Sequence, residues 1–262
     1  MMRQTEIAVP RTADPIGKED ALVLLGSCFS SYIADILAEE GYSLCSNPFG
    51  TLFNPVSIAD SLERLADPRP FTEEDCVELG AGSRLWGSFH HYTRCARGTK
   101  EEFLRSANSE LAAAAAAFKD ARTLVLTFGT AFCFRHIERE MVVANCLKRN
   151  QSEFERFRLD VAGTVGLYKK LIPTLDKRII FTVSPVRHLA DGAHGNAVSK
   201  SVLLLAVDEL VRTFPDRCFY FPAYEILMDE LRDFRWYEDD TVHPSAEARA
   251  VVWRRFRDAW LG

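Results

Sequence analysis

The chain has 262 residues, 47% of them hydrophobic, so it is long enough to bury a full core within one large domain. Its 32 basic and 37 acidic residues give a net charge of -5, which excludes the strongly basic surface typical of nucleic-acid-binding proteins. No run reaches the length of a membrane span and the first residues lack the apolar core of a signal peptide, so we expect a cytoplasmic protein without a membrane partner.

The first predicted element is a short apolar strand that begins at Ala21 and ends at Gly26, followed by a helix over residues 31–40. Glycine has no Cβ, so the chain can turn sharply at this point. Ser27 and Cys28 then fall at a helix start, where free amides and the positive end of the dipole favour a thiolate or an oxyanion. The alternative interpretation is an ordinary strand-to-helix turn with a buried cysteine.

The rest of the chain alternates apolar strands with amphipathic helices. The expected strands cover residues 42–46, 123–128, 178–183 and 218–221, with a hairpin over 132–146, and the expected helices cover 54–65, 99–121, 153–175, 196–214, 224–231 and 246–260. Ser152 and Glu155 are expected to cap the helix over 153–175. This alternation predicts an α/β protein with a five-stranded parallel sheet between two helical layers. We expect one domain over residues 1–262, with an insertion of short strands or loop at about 67–98 on the rim of the crevice.

An acidic residue and a histidine near the end of the chain have the spacing of a catalytic pair. Asp240 precedes His243 by three residues, and Pro244 leads into the last helix. The Asp240 carboxylate can accept from Nδ1 of His243, which fixes the tautomer and leaves Nε2 free to act as a base. Combined with a nucleophile after the first strand, this pair predicts nucleophilic catalysis, although alone it also fits a surface helix cap.

The cysteines and histidines do not indicate a metal or a disulfide framework. The seven cysteines are scattered without paired spacing, which is typical of reduced thiols. His90, His91 and Cys95 lie close together, but the six histidines do not follow a metal-binding spacing. We therefore expect no metal and no cofactor.

Six motifs in chain order carry a family resemblance. They are LLGSCFS from residue 24, NPFGTLFNP from 47, LTFGTAF from 126, VVANC from 142, TVSPVRH from 182 and DDTVHPS from 239. From about residue 20 to 258 the chain resembles the GSCFA family, and more loosely the SGNH or GDSL-type hydrolases. This resemblance implies a three-layer α/β/α fold and a hydrolase or acyltransferase that acts on an ester or acyl group of a small molecule or carbohydrate.

The nucleophile block of those hydrolases, apolar-apolar-Gly-Asp-Ser-apolar-small, aligns without gaps to residues 24–30. The alignment puts Cys28 in place of the nucleophilic serine and Ser27 in place of the aspartate before it. A shift by one residue makes Ser27 the nucleophile but loses the glycine and apolar matches, so both remain candidates. We expect a thiol at this position to ionise easily. The final block, Asp-x-x-His, falls on Asp240 and His243.

The oxyanion-binding groups implied by the resemblance are less complete. The glycine of the second block falls on Gly50, whereas Ala131 takes the place of the oxyanion asparagine of the third block. The amides of Cys28 and Gly50 remain as expected donors, and Thr130 or Asn145 can replace the asparagine. Loss of one such donor costs on the order of 3 kcal/mol. The missing asparagine keeps a second function open, namely a non-catalytic ligand-binding protein that retains the fold.

Four further residues are candidates for substrate binding. Arg187 and His188 follow a predicted strand and should face the crevice, where Arg187 can bind an anionic group or pair with a nearby aspartate. His90 and His91 lie in the insertion and can contact substrate, or form a loop pair with one ring buried and one exposed. The expected partner is a small-molecule or carbohydrate ester.

Overall fold

Strands and helices alternate along the chain in the computed structural model, which describes residues 5–262. In chain order they are β1 (Leu22–Gly26), α1 (Cys28–Glu39), β2 (Leu44–Ser46), α2 (Pro55–Ala66), β3 (Val77–Glu78), β4 (Trp86–Gly87), α3 (Lys100–Asp120), β5 (Thr123–Phe128), β6 (Phe132–His136), β7 (Met141–Val143), β8 (Phe154–Arg158), α4 (Val161–Leu171), β9 (Arg178–Val183), α5 (Gly192–Thr213), β10 (Cys218–Tyr220), α6 (Ala223–Glu225) and α7 (Ala246–Trp260). A π-helix, Ile226–Leu231, directly continues α6.

Five of these strands form the parallel sheet that the sequence predicts. Their order is β2-β1-β5-β9-β10, and every pair within it is parallel. The chain moves outward from β1 to β2 and then returns to the other side of β1 at β5, so the topology switches between β1 and β5. Ligands of open α/β sheets bind beyond the carboxyl ends of the strands at such a switch point. For this chain, that point is the edge formed by the ends of β1 and β5.

Helices cover both faces of the sheet, which confirms the predicted three-layer arrangement. Side chains of β1 alternate between the faces, so that Val23 and Leu25 pack with α2, α3, α4 and α5 while Leu22 and Leu24 pack with α1, α6, the π-helix and α7. All four of these β1 side chains are fully buried. Within residues 5–262, none of the helices combines the length and apolarity needed to cross a bilayer.

Two small antiparallel sheets lie beside the central one. Strands β3 and β4, within the predicted insertion, pair with each other, and β7, β6 and β8 form a three-stranded sheet. The two units share a small core in which Leu79 and Phe89 pack with Val143 and Phe154. Backbone bonds join them as well, since the amide of Ala144 donates to the carbonyl of Phe89 at 2.7 Å. The insertion therefore packs against the hairpin after β5.

The predicted helix over residues 153–175 is wrong in its first half. Residues Phe154–Arg158 form β8, which pairs with β6, and α4 begins only at Val161. The cap is Asp160, whose side chain accepts from the amide of Gly163 at 2.7 Å, and not Ser152 with Glu155. Pairing with a distant strand decides the conformation here, and a local helix pattern contains no information about that partner. Helix α5 also begins earlier than predicted, at Gly192.

Candidate functional site

The turn after β1 is shaped by Gly26. Its φ is +139°, and a Cβ at this position would lie 2.2 Å from the carbonyl oxygen of Thr127. The amide of Gly26 donates to Oδ1 of Asn47 at 2.9 Å, and Nδ2 of Asn47 donates to Oγ of Ser31 at 2.9 Å. One asparagine side chain thus joins the end of β1 to the first turn of α1. This arrangement fixes where α1 starts at the carboxyl edge of the sheet.

Cys28 is the first residue of α1, and Ser27 is the N-cap before it. Burial raises the pKa of the half-buried Cys28 thiol above its ordinary value, while the amides of Phe29 and Cys28 and the charges of Lys200 and Arg249 lower it by less. The expectation that this thiol ionises easily is therefore wrong, because loss of hydration outweighs the favourable charges. The Ser27 hydroxyl is buried and has no hydrogen-bond partner within the described chain.

Asp240 and His243 are in direct contact. Oδ2 of Asp240 lies 2.6 Å from Nδ1 of His243, and Oδ1 accepts from the amides of Val242 and His243 at 2.8 and 2.9 Å. The side-chain bond from His243, followed by these two amide bonds, lowers the pKa of Asp240 to about 2. An ionised carboxylate at this position keeps a proton on Nδ1, so Nε2 of a neutral ring is left as the acceptor.

The pair lies at the same edge of the sheet as Gly26. Arg187, four residues after the end of β9, donates its amide to the carbonyl of Val242 at 3.3 Å. Arg249, in the first half of α7, lies over the ring of Tyr32 in α1 with its guanidinium carbon 5.0 Å from the centroid. The N-terminal ends of α1 and α7 are therefore close to one another. The structure thus places the acid–histidine pair and both nucleophile candidates at one edge.

The oxyanion candidates differ in how far they are engaged by other groups. The amide of Gly50 already donates to the carbonyl of Asn47 at 2.8 Å. The hydroxyl of Thr130 accepts from the amide of Phe132 and lies 3.1 Å from Oγ of Ser199, so its own proton is free to be donated when Ser199 donates to it. The Gly50 amide would have to break its hydrogen bond to Asn47 before it could bind an oxyanion.

Asn145 presents a free amide group beside a cavity of about 800 Å³. Its Oδ1 accepts from the amide of Leu147 and the hydroxyl of Thr93, both at 2.8 Å, which fixes the side-chain orientation. Its Nδ2 has no hydrogen-bond partner among residues 5–262. Asn145 and Thr130 both line this cavity, which lies between the carboxyl edge and the three-stranded sheet.

The cavity wall combines aromatic rings with aliphatic and amide side chains and one ion pair. The rings and amides that line it are those of Phe53, Phe132, Phe134, Phe154, Asn54, Asn145 and Gln151. The Arg156 guanidinium forms an ion pair with Asp191 and lies over the Phe132 ring, 3.9 Å from its centroid. Because Asp191 balances the charge of Arg156, this wall suits an uncharged ligand.

His188 lies on the cavity wall and is close enough to His243 for their charges to interact. Its ring packs edge-on against Phe53 at 6.0 Å between centroids. Burial, and then the positive charges of Lys200 and His243, lower the pKa of His188 to about 4, although the backbone of Gly129 raises it. His188 is therefore neutral at physiological pH.

The other substrate-binding candidates lie outside this cavity. Arg187 stacks on the Tyr237 ring at 4.2 Å and lines a separate, smaller pocket. His91 is buried, with Nδ1 2.7 Å from Oγ of Ser88 and its ring packed on Phe71, and burial lowers its pKa to about 3. His90 is half-buried, and burial lowers its pKa to about 4. The geometry gives these two histidines a packing role.

Sequence reasoning missed Lys200 in α5. Its side chain is 1% exposed, and its ammonium donates to the carbonyls of Gly129 and Ser184, both at 2.6 Å. The available signal was its position, because Lys200 shares the buried helix face of Leu203 and Val207 at spacings of three and seven residues. A lysine is almost never fully buried unless its charge is paired.

The fold and this edge define a three-layer α/β protein with its candidate site at the topological switch point. The sequence profile of the GSCFA family matches residues 21–256, so the chain belongs to that family, as the motifs predict. No curated protein matches the chain. A crystal structure from Bacteroides fragilis NCTC 9343, described as a "putative acylhydrolase", is similar at 11% identity and a TM-score of 0.44, over 94% of this chain and 88% of that one. No group of three metal-ligating side chains occurs within residues 5–262.

Proposed function

We propose that the protein catalyses acyl transfer from an ester or thioester, as a hydrolase or an O-acyltransferase. Cys28 is the nucleophile, His243 transfers the proton, and Asp240 orients the imidazole. The observation that carries this proposal is the 2.6 Å contact between Asp240 and His243 at the edge where α1 begins. A protein that only binds a ligand has no need for a base that is oriented in this way.

The reaction begins with proton transfer from the Cys28 thiol to Nε2 of His243. Because burial raises the pKa of this thiol, attack depends on a base. The sulfur then bonds to the carbonyl carbon and the oxygen takes the π electrons, stabilised by the amides at the start of α1 and by Nδ2 of Asn145. Collapse expels the alkoxide or thiolate, which takes the proton from His243. Water or an acceptor alcohol, deprotonated by His243, then attacks the acyl carbon. The Cys28 thiolate leaves and regains its proton from His243.

The cavity beside this edge supports an uncharged acyl group or sugar as the substrate portion. Its aromatic rings offer apolar faces, and Asn54, Asn145 and Gln151 offer hydrogen bonds to hydroxyl or carbonyl groups. The paired charges of Arg156 and Asp191 leave no net charge on that wall to attract an ionic substrate.

A non-catalytic ligand-binding protein is the second candidate. Two observations favour it: Ala131 replaces the asparagine that the related hydrolases use, and the Gly50 amide is engaged by Asn47. Such a protein would bind its ligand in the same cavity but show no turnover.

The test is turnover of a model ester, such as a 4-nitrophenyl ester, by the wild-type protein and by Cys28→Ala and Ser27→Ala. We expect Cys28→Ala to abolish turnover and Ser27→Ala to retain most of it. Cys45→Ala, which removes another half-buried thiol with a raised pKa, is the control. Loss of turnover only in Ser27→Ala, with labelling by a fluorophosphonate, would assign the serine instead. Absence of wild-type turnover across ester and thioester substrates would favour the binding protein.

A further inference from the structure

The Lys200 ammonium is buried at the carboxyl edge of the sheet. Its two acceptors, Gly129 and Ser184, directly follow β5 and β9, so the lysine joins the ends of two neighbouring strands. Two carbonyl groups provide dipoles but no compensating charge. A cation in a protein interior is costly unless an anion or several hydrogen bonds stabilise it. The position of Lys200 therefore requires an explanation beyond packing.

Strand register places Lys200 next to the proposed nucleophile. Gly26 of β1 is level with Thr127 of β5 in the parallel register. The pairing continues to Ser27, whose amide donates to the carbonyl of Thr127 at 3.2 Å, so Cys28 and Gly129 follow just beyond the paired ends of β1 and β5. Parallel strands are about 4.8 Å apart, which makes Lys200 a near neighbour of Cys28 across the end of β5.

Of the groups around Lys200 within residues 5–262, only Cys28, in its thiolate form, offers a negative charge that is not already paired. Burial lowers the pKa of Lys200 to about 7, while the negative charges of Cys28 and then Asp191 raise it. Asp191 is already in an ion pair with Arg156. His188, which faces Lys200 from the loop before α5, is neutral at physiological pH because its pKa is about 4.

Two cations, Lys200 and Arg249, lower the pKa of Cys28, and the charge of Lys200 is the less neutralised of the two by neighbouring carboxylates. Arg249, which approaches from α7, has its guanidinium 3.2 Å from a carboxylate oxygen of Glu238. Lys200 forms no ion pair with a carboxylate in the part of the chain that the structure describes. The ammonium form, which a pKa of about 7 makes the main species below neutral pH, keeps one N–H group beyond the two that donate to carbonyls.

We propose that Lys200 is a positioning residue whose buried positive charge stabilises the thiolate of Cys28. The proposal rests on the proposed function only in the role it gives to Cys28. Lys200 takes no proton from the thiol and forms no covalent bond. It lowers the free energy of the state in which His243 has taken that proton. The same charge also holds the ends of β5 and β9 together at the site.

The first test is the rate at which iodoacetamide alkylates Cys28 as a function of pH, located and quantified by mass spectrometry. In Lys200→Met, which keeps the length of the side chain but not its charge, the labelling rate at pH 6, where a pKa of about 7 leaves Lys200 protonated in the wild type, should fall about tenfold. Above pH 8, where the wild-type Lys200 has lost its proton, the two rates should converge. Lys177→Met is the matched control, because Lys177 also donates to a backbone carbonyl, that of Ala121 at 2.7 Å, but before the start of β5. It should leave the profile unchanged.

A second measurement leaves Lys200 in place, so it remains decisive if Lys200→Met does not fold. Lysine labelled with 13C at Cε reports the titration of Lys200 by NMR in the wild-type protein and in Cys28→Asp, which puts a carboxylate in the place of the thiolate. The wild-type thiol is neutral while Lys200 titrates, so Lys200 should keep its proton to a higher pH in Cys28→Asp than in the wild type. Equal titration of Lys200 in both proteins would overturn the proposal.

The two proposals fail in different experiments. An unchanged labelling profile in Lys200→Met, with turnover lost in Cys28→Ala, would reject the role of Lys200 and leave the enzyme. A shifted profile, with full ester turnover in Cys28→Ala, would support the charge coupling and reject Cys28 as the nucleophile.

Discussion

Ser199 of α5 accepts the amide hydrogen of Ala131 at 2.8 Å, although the two residues are 68 positions apart in the chain. Asn196, three residues earlier in the same helix, accepts the amide hydrogen of His188 at 3.0 Å. Together with Lys200, these residues form one helix face that holds the loops after β5 and β9. The first half of α5 therefore positions the loops after β5 and β9, which lie at the same edge as the turn at Gly26.

Removal of the Ser199 hydroxyl should destabilise the fold. Ser199→Ala leaves the buried amide of Ala131 without an acceptor, at a cost of about 1–3 kcal/mol in the free energy of unfolding. Ser201→Ala is the control, because its exposed hydroxyl only bonds back to Ala197 within the helix. Urea denaturation measures both variants. Equal stability of the two would mean that the Ala131 amide finds another partner.

Asp240 should titrate far below an ordinary aspartate, near pH 2, in a 13C carboxyl NMR titration. In His243→Ala the largest stabilising bond is lost, so the pKa should rise toward its ordinary value while the amide of Val242 still lowers it. A depressed pKa means that the bond stabilises the native state above the unfolded pKa of about 4 and is lost as the pH falls through 2. A pKa that does not respond to His243→Ala would contradict the contact.

Turnover should also depend on this contact. Asp240→Asn keeps the shape of the side chain but favours the tautomer that carries the proton on Nε2, so we expect a loss of kcat of up to about 10⁴-fold. Asp239→Asn is the matched control, since it removes the neighbouring carboxylate and leaves the pair intact. Similar kcat in the two variants would show that His243 does not act as the base.

Asn145→Asp should lower kcat on the order of 10²-fold or more if Nδ2 binds the oxyanion. The aspartate retains the oxygen that accepts from Leu147 and Thr93, so the loop should keep its shape, but the donor is lost and a negative charge is added. Thr93→Val, which removes only one of the supporting bonds, is the comparison. A kcat that falls as far in Thr93→Val would point to loop distortion as the cause.

The buried ring of His91 should make the protein less stable in acid. Its pKa is about 3 in the folded chain and 6.5 when exposed, so between these values the unfolded state binds more protons and stability falls as the pH falls below 6.5. At pH 5 this residue should cost about 2 kcal/mol relative to pH 7.5. His91→Phe, which keeps an aromatic ring beside Phe71 and Phe103, should remove that part of the pH dependence of the free energy of unfolding, as measured by urea denaturation at pH 5 and pH 7.5.

The parallel sheet could be predicted from the sequence because its strands are marked locally. Strands β5 and β9 are continuous apolar runs, and both match their predicted ranges, 123–128 and 178–183. Strand β8 could not be predicted in this way, since its residues FERFR become a strand only through pairing with β6. This dependence on a distant strand explains why the helix predicted over 153–175 is wrong in its first half.

For the candidate site too, the features that depend on neighbouring residues could be predicted, and those that depend on distant segments could not. The spacing of Asp240 and His243 is local, so their contact could be predicted from the sequence. The bond from Gly26 to Asn47, the engaged amide of Gly50 and the position of Lys200 depend on segments that are distant in the chain. The ionisation of Cys28 was misjudged because a sequence gives the neighbours of a residue along the chain but not its burial.

Burial of the Cys28 sulfur also bears on how this protein withstands oxidants. Peroxide attacks cysteines in proportion to their thiolate character and accessibility, and oxidation beyond the sulfenic acid is irreversible in most proteins. A sulfur that is half-buried and protonated at rest is a slow target for that damage. Under the proposed mechanism, such a thiol becomes strongly nucleophilic only while His243 holds its proton, so its reactivity is confined to that state.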